Sequence, residues 1–343
     1  FPKGCLLTQR YWLTIGKVAA ARDGRRYRRI LAPTPFTYMD PQWLLMMTLY
    51  QGASLYVARR QSASRFAGWL HQHRIEFCLF PEVVMKQPPS PLDGDNAMIR
   101  ANVYGLRPQA QAELQRRFNL VARECYGMTE IGSGMYMPIE ADDMVGSGSC
   151  GRPSPFRRFR IVDDQGHDVP EGERGELVVS GSGLFQGYYR KPEANTSGFF
   201  GEWFRTGDIF ERDARGYYYI VGRIKDMVRR AGENISAREV EAVVRNMEEI
   251  ADAAVLPVKD PQRGEEVKIY LVPQQGVRAD DGLIQAVLAH CERELAAFKV
   301  PRYFEFIERL PRTTSEKIAK GELAKLKEDL RVGAYDRVEK LWR

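Results

Sequence analysis

The chain changes texture once, after Gly146, and that change constrains its fold more than any other feature of the sequence. Before it, helix-like and strand-like patterns alternate. Leu7, Tyr11, Ile15 and Val18 recur at helical spacing, residues 30–32 and 55–58 read as short strands, and Phe66, Trp69, Leu70 and His73 line one face of a second helix. Residues 77–80 read as another strand, 88–95 as a loop, 108–117 as a helix opened by proline, and 120–123 as a strand that ends before Tyr126-Gly127. Such alternation predicts an α/β fold with a mostly parallel sheet covered by helices, and ligands at the carboxyl ends of its strands.

After Gly146 the pattern becomes short strands and turns. Residues 159–162 and 176–179 flank an Asp163-Asp164-Gln165-Gly166 turn region, and residues 209–212 and 217–221 flank Asp213-Ala214-Arg215-Gly216. A small antiparallel barrel is predicted here. A last module opens after Arg223, with a Ser236-x-x-Glu239 capping box, a helix to about Met247, strands at 253–258 and 267–272, a helix at 282–297 and a charged C-terminal tail. The boundaries read as 1–145 for the α/β domain, 146–224 for the barrel and 225–343 for an α+β domain.

Composition removes several classes of function. The 343 residues are 44% hydrophobic and 28% charged, which is a globular balance. A formal net charge of +6, spread along the chain, is no nucleic-acid signature; only runs such as residues 25–29 would support that role. The longest near-apolar run, residues 43–50, is interrupted by Thr48 and falls far short of the roughly 20 residues a spanning helix requires. Cys5, Cys78, Cys125, Cys150 and Cys291 are scattered, without CxxC or histidine-rich neighbours, so a reducing cytoplasm is the expected location. Nothing in the sequence signals an oligomeric state.

Five glycine-containing or polar runs carry the chemistry, and each alone also reads as an ordinary turn or linker. Tyr126-Gly127-Met128-Thr129-Glu130 offers an aromatic face, a hydroxyl for a phosphate oxygen and a carboxylate able to hold Mg²⁺. Phe204-Arg205-Thr206-Gly207-Asp208 places a carboxylate after a glycine turn, where it can accept two ribose hydroxyls. Residues 222–236 set Arg223, Lys225, Arg229 and Arg230 between glycines, residues 175–189 form a strand with a glycine-rich exit, and residues 311–317 present Lys317 on a polar loop.

Taken together, in this order and spacing, the runs resemble the adenylate-forming family of acyl-CoA synthetases, adenylation domains and luciferases. The resemblance covers the chain to about Leu323. Lys225-Asp226-Met227-Val228 and Gly232-Glu233-Asn234-Ile235-Ser236 look like the acyl-CoA synthetase branch, while residues 35–42 and Tyr104-Gly105-Leu106-Arg107-Pro108 look closest to its crotonobetaine/carnitine-CoA ligase group. The resemblance implies ATP, Mg²⁺ and coenzyme A as cofactor and co-substrates, and a small-molecule carboxylic acid as partner. It implies that Tyr126 and Gly127 meet adenine, Thr129 a phosphate oxygen and Glu130 the Mg²⁺. Asp208 would hold the ribose, with Ile220 and Arg223 beside the nucleotide. Lys317 would bridge the acyl carboxylate and α-phosphate, and Lys225 would be the hinge of a mobile C-terminal domain. Gly232 would line the pantetheine path, and Tyr38 and Asp40 the acyl pocket, where a carboxylate beside an aromatic ring could favour a carnitine-like cation or could simply turn the chain before Pro41.

The sequence also departs from that family. Its phosphate loop is present only as Phe1-Pro2-Lys3-Gly4, leaving Lys3 for the phosphates and implying an upstream segment that completes a large domain only partly contained in this numbering. Tyr38 stands at a usual histidine, Leu106-Arg107 replace small residues over adenine, and Glu316 stands where glycine commonly precedes the catalytic lysine. Alternatives to CoA ligation are acyl transfer to a carrier protein and a non-catalytic nucleotide-binding remnant.

Overall fold

The computed structural model of the chain describes residues 3–106, 108–313 and 318–343. Two compact units emerge, Phe1–Thr206 with Phe210–Ile220, and Gly207–Ile209 with Val221–Arg343.

In the first unit, strands Ser54–Val57, Arg29–Ala32, Phe77–Leu79, Arg100–Val103 and Val121–Met128 lie side by side in that order and run parallel. Successive residues divide between two cores, as the two-residue repeat of a strand requires. Ile30, Ala32, Phe77 and Leu79 pack with Tyr11, Ile15, Leu44 and Met47 of helices Gln9–Ala21 and Met39–Gln51. Leu31, Cys78, Ala101 and Ala122 instead meet Phe66, Leu70 and Leu114 of helices Ala63–Gln72 and Pro108–Phe118. Thr8 caps the first helix, its Oγ1 accepting from the Tyr11 N–H at 3.1 Å.

Two features of this unit differ from the sequence reading. The strand expected to end before Tyr126 continues to Met128, because Cys125 and Tyr126 pair antiparallel with Tyr136 and Met135. A bulge then shifts the register at Gly127, where a Cβ would meet the Gly132 carbonyl oxygen at 2.5 Å, so only glycine fits. The later strands, moreover, close no barrel among the described residues. Gly132–Tyr136, Ser149–Pro153, Tyr218–Arg223, Trp203–Arg212, Gly175–Gly181 and Arg157–Val162, with Phe199–Phe200 paired to Trp203–Arg212, extend the parallel run into one open twelve-stranded sheet. The hairpin at Asp213 forms as expected, its Oδ1 accepting from the N–H groups of Arg215 and Tyr217.

The second unit has its own seven-stranded sheet, built around the antiparallel pair Ile250–Asp260 and Gly264–Pro273. Helices Ala237–Arg245 and Asp281–Glu294 bury Val240, Val244, Ile284 and Val287 against it. The charged C-terminus is not a tail: Tyr335–Asp336 pairs with Tyr303–Phe306, and Leu341–Trp342 pairs with Tyr335–Asp336. Asp336, fully buried, drives this by taking ion pairs from Arg302 and Arg343, both at 3.0 Å. No helix among the described residues is long and apolar enough to cross a membrane.

Candidate active site

Three successive backbone carbonyls hold the Thr129–Glu130 loop in place. The Tyr11 hydroxyl donates to Thr129 O at 2.9 Å, the Phe185 N–H donates to Glu130 O at 2.9 Å, and Arg157 Nε and Nη2 donate to Ile131 O at 3.0 and 2.7 Å. Burial raises the Tyr11 hydroxyl above the ordinary tyrosine range, so it remains a donor. Burial also lowers the Arg157 guanidinium to about 10, still charged at neutral pH, with its other bonds going to the Phe156, Ser182 and Gly183 carbonyls. With the backbone committed, the loop's function falls to its side chains. Glu130 Oε1 accepts from the Tyr188 hydroxyl at 2.7 Å, and Lys3 Nζ lies 3.8 Å from the centre of the Tyr188 ring.

The N-terminal segment delivers Lys3 to this place by pairing with the glycine-rich exit of strand Gly175–Gly181. Cys5 bridges to Tyr188, the Leu6 N–H donates to Gly187 O at 2.9 Å and the Tyr189 N–H to Gly4 O at 2.8 Å. Burial and then the Glu130 charge push the Cys5 thiol up to about 11, against the opposing pull of Lys3, so it stays neutral beside the two ions. Lys3, Thr129 and Glu130 are thus brought together, and Tyr188, Tyr11 and Arg157 are the residues that sequence reasoning missed. No cluster of three or more potential metal ligands occurs among the described residues. One carboxylate such as Glu130 nonetheless fits Mg²⁺, which usually takes one or two protein carboxylates and completes its shell with substrate phosphates and water.

Other predicted residues lie in different surroundings. Tyr126 is buried edge-to-face against Phe210, with ring centroids 4.9 Å apart, and Gly127 beside it is exposed. Leu106 is buried in the helix-covered core, while Glu124 anchors its loop by accepting from the Gly105 and Leu106 N–H groups at 2.9 and 2.8 Å. Tyr38 is the N-cap of helix Met39–Gln51, and Asp40 Oδ1 accepts from the Trp43 indole at 3.2 Å. The Arg22 guanidinium lies 5.5 Å from the same Trp43 ring and 5.2 Å from Phe77. Its Nε and Nη2 are buried with no hydrogen-bond partner among the described residues. Ile220 is half-buried on strand Tyr218–Arg223.

In the second unit Asp208 and Arg223 meet. Arg223 Nε donates to Asp208 Oδ1 at 2.7 Å, the carboxylate almost wholly buried and the guanidinium half-exposed. Lys225 is exposed on the 3₁₀ turn Ile224–Asp226 that follows. Ala231 and Gly232 form the two-residue turn between Met227–Arg230 and Glu233–Ser236, with φ of +51° and +88°. Two positive φ values in succession are what a twisted hairpin of this loop length takes. The proposed catalytic Lys317, with Glu316, lies outside the described residues, as does Arg107.

Residues 1–189 match the family described as AMP-binding enzyme, and residues 239–317 match the AMP-binding enzyme C-terminal domain. The chain belongs to the AMP-binding enzyme family. Among its relatives, the sulfoacetate–CoA ligase of Cupriavidus necator is 33% identical over 94% of this chain and 64% of its own length. The crotonobetaine/carnitine–CoA ligase of Proteus mirabilis is 30% identical over 94% of this chain and 64% of its own. The ATP-bound structure of MatB from Rhodopseudomonas palustris superimposes with a TM-score of 0.86 at 25% identity, over 96% of this chain and 66% of that one. This AMP-binding chain therefore spans slightly under two thirds of the length of the curated relatives it matches.

Proposed function

We propose that the protein is an AMP-forming acyl-CoA synthetase that uses ATP and Mg²⁺ to activate a carboxylic acid. An acid oxygen attacks the α-phosphorus, the bond to the β-phosphate breaks and pyrophosphate leaves. The CoA thiol, losing its proton to solvent, then attacks the acyl carbon, and AMP leaves with the C–O electron pair. The observation that carries this reading is the Thr129–Glu130 loop, whose three carbonyls are bonded to other elements. A loop so held presents a hydroxyl and a carboxylate at fixed positions, which is how preorganised groups favour charge that develops only in the transition state.

In this reading Lys3 and Thr129 meet phosphate oxygens, and Glu130 holds the Mg²⁺ that neutralises phosphate charge. Tyr126, Gly127 and Ile220 border the nucleoside, and the Asp208–Arg223 pair takes the ribose hydroxyls and a phosphate. Lys317 supplies positive charge between acid and α-phosphate. Residues 225–343 act as a mobile domain turning about Lys225, distinct from segments 1–145 and 146–224, and Gly232 borders the path of the pantetheine thiol. Tyr38 and Asp40 line the acid's pocket, and a small polar acid is favoured over a long fatty acid. Five free thiols, four of them buried, support a reducing cytoplasmic setting.

The test is a pyrophosphate-release screen of the full-length protein with ATP, Mg²⁺ and short, sulfonated, aromatic and trimethylammonium acids, followed by thioester detection with free CoA. Release that depends on one class of acid, and a thioester with CoA, is the expected outcome. ATP binding without acid-dependent release for any class would overturn the reading.

A further inference from the structure

A cationic pocket of the first unit is lined by none of the residues placed in the catalytic machinery. It has a volume of about 410 Å³ and is lined by Arg59, Arg60, Ser62, Arg65 and Trp69. That volume lies within the range of roughly 300–1,000 Å³ typical of small-molecule sites. The pocket forms where strand Ser54–Val57 gives way to helix Ala63–Gln72, at the carboxyl end of a parallel strand.

The composition of this pocket needs an explanation that packing does not supply. Arg59, Arg60 and Arg65 are exposed, and none has an ion pair or hydrogen bond with another described residue. Many other guanidinium groups of the first unit are ion-paired, among them Arg100 with Asp23, Arg117 with Asp93, Arg158 with Glu202 and Arg160 with Asp168. Three unmatched guanidinium groups around one concavity repel one another unless an anion sits among them, and their planar forks suit phosphate oxygens. Trp69 is half-buried against the core beneath and adds an aromatic surface to the same concavity. Clustered phosphates for the arginines and a flat ring for the indole are the two ends of one kind of ligand.

We propose that this pocket is a second nucleotide site, which takes the phosphorylated end of a purine nucleotide. The nucleotide end of CoA and a free nucleotide share that chemistry; the first source rests on the ligase reading above, the second does not. The Thr129–Glu130 loop follows Val121–Met128, four strands away across the parallel run.

The experiment titrates the full-length protein with adenosine 3′,5′-bisphosphate, following heat and tryptophan fluorescence. The wild type is compared with Trp69→Phe and with the triple variant Arg59→Ser/Arg60→Ser/Arg65→Ser, whose exposed positions leave folding intact by melting curve. The expected result is a fluorescence change that Trp69→Phe abolishes, and an affinity that falls about tenfold for each guanidinium removed. A CoA source is read from a raised KM for CoA, but not for dephospho-CoA, in the triple variant with ATP–pyrophosphate exchange unchanged. A free-nucleotide source is read from an unchanged KM for CoA with bisphosphate binding lost. Bisphosphate binding that is absent from the wild type, or equal in wild type and triple variant, overturns the proposal. Absence of acid-dependent pyrophosphate release with pocket binding intact would overturn the ligase reading and leave the pocket standing.

Discussion

At residues 129–131 every backbone carbonyl accepts from a residue of another element, whereas at residues 231–232 the only such tie among the described residues is the Ala231 N–H donating to Arg263 O at 2.8 Å. Around Gly232 no heavy atom of the described residues beyond its chain neighbours lies within 4 Å of where a Cβ would stand. The first region is restrained from outside itself, and its side chains inherit that restraint. The second is shaped chiefly by its own two left-handed residues. A rigid loop suits groups that must meet developing phosphate charge without rearranging, and an unencumbered tip suits a path that opens for one half-reaction alone. The contrast teaches where substitution should be felt: chemistry and stability at the loop, thiol access at the tip.

The largest effect expected is that of Lys317→Ala, which removes the charge assigned to the α-phosphate. Such a contact is worth about 3 kcal/mol, or roughly 100-fold in rate. ATP–pyrophosphate exchange should fall by that factor while thioester formation from supplied acyl adenylate survives; equal loss of both would merge the two regions into one function. Next comes Gly127→Ala. The added Cβ would meet the Gly132 carbonyl oxygen at 2.5 Å, a backbone atom that cannot swing aside. Chemical denaturation should show a loss of about 1–3 kcal/mol. An unchanged midpoint would mean that the bulge yields freely and that the loop is less restrained than its hydrogen bonds suggest.

Tyr188→Phe probes the loop more gently. It removes the hydroxyl that Glu130 Oε1 accepts from at 2.7 Å and keeps the ring beneath Lys3. A hydrogen bond to a charged group is worth about 1.5 kcal/mol, so exchange should fall about tenfold with the melting temperature little changed. The smallest effect expected is at the tip. Ala231 sits at φ +51°, and Ala231→Gly relieves a left-handed alanine at some cost in unfolded-chain entropy, for a net gain of no more than about 1 kcal/mol. Differential scanning calorimetry would reveal it; a loss of stability would show that the alanine methyl makes contacts that matter.

Much of the parallel core was legible, because Ile30 and Phe77 stand at strand positions and Leu7, Tyr11, Ile15 and Val18 at helical ones, and the burial follows that order. The extension of the fifth parallel strand through Tyr126 was not, since it depends on pairing with Tyr136 and Met135 and on a close approach of Gly127 and Gly132. The C-terminal strands were hidden for a related reason. Asp336 reads as one more surface charge until Arg302, far away in sequence, is seen to pair with it. The same holds at the site. Thr129 and Glu130 were visible as a motif, but Tyr11 reaches Thr129 across 118 positions, and Tyr188 reaches Glu130 across 58. Motifs disclose the groups that can do chemistry, and only the fold discloses what holds them. Arg22 is the converse case, a guanidinium whose buried Nε and Nη2 have no partner among the described residues and that no local pattern flagged.

The difference between the restrained loop and the open tip is tested most directly by measuring ATP–pyrophosphate exchange and CoA thioester formation side by side in full-length Gly232→Trp, with melting curves as a control. The indole would start from open space at the tip, and none of the residues that bond the carbonyls of Thr129 and Glu130 belongs to the tip. The expected result is exchange within about twofold of the wild type and thioester formation reduced by about 100-fold or more. Parallel loss of both activities, together with a lowered melting temperature, would contradict it and reduce the tip to a structural turn.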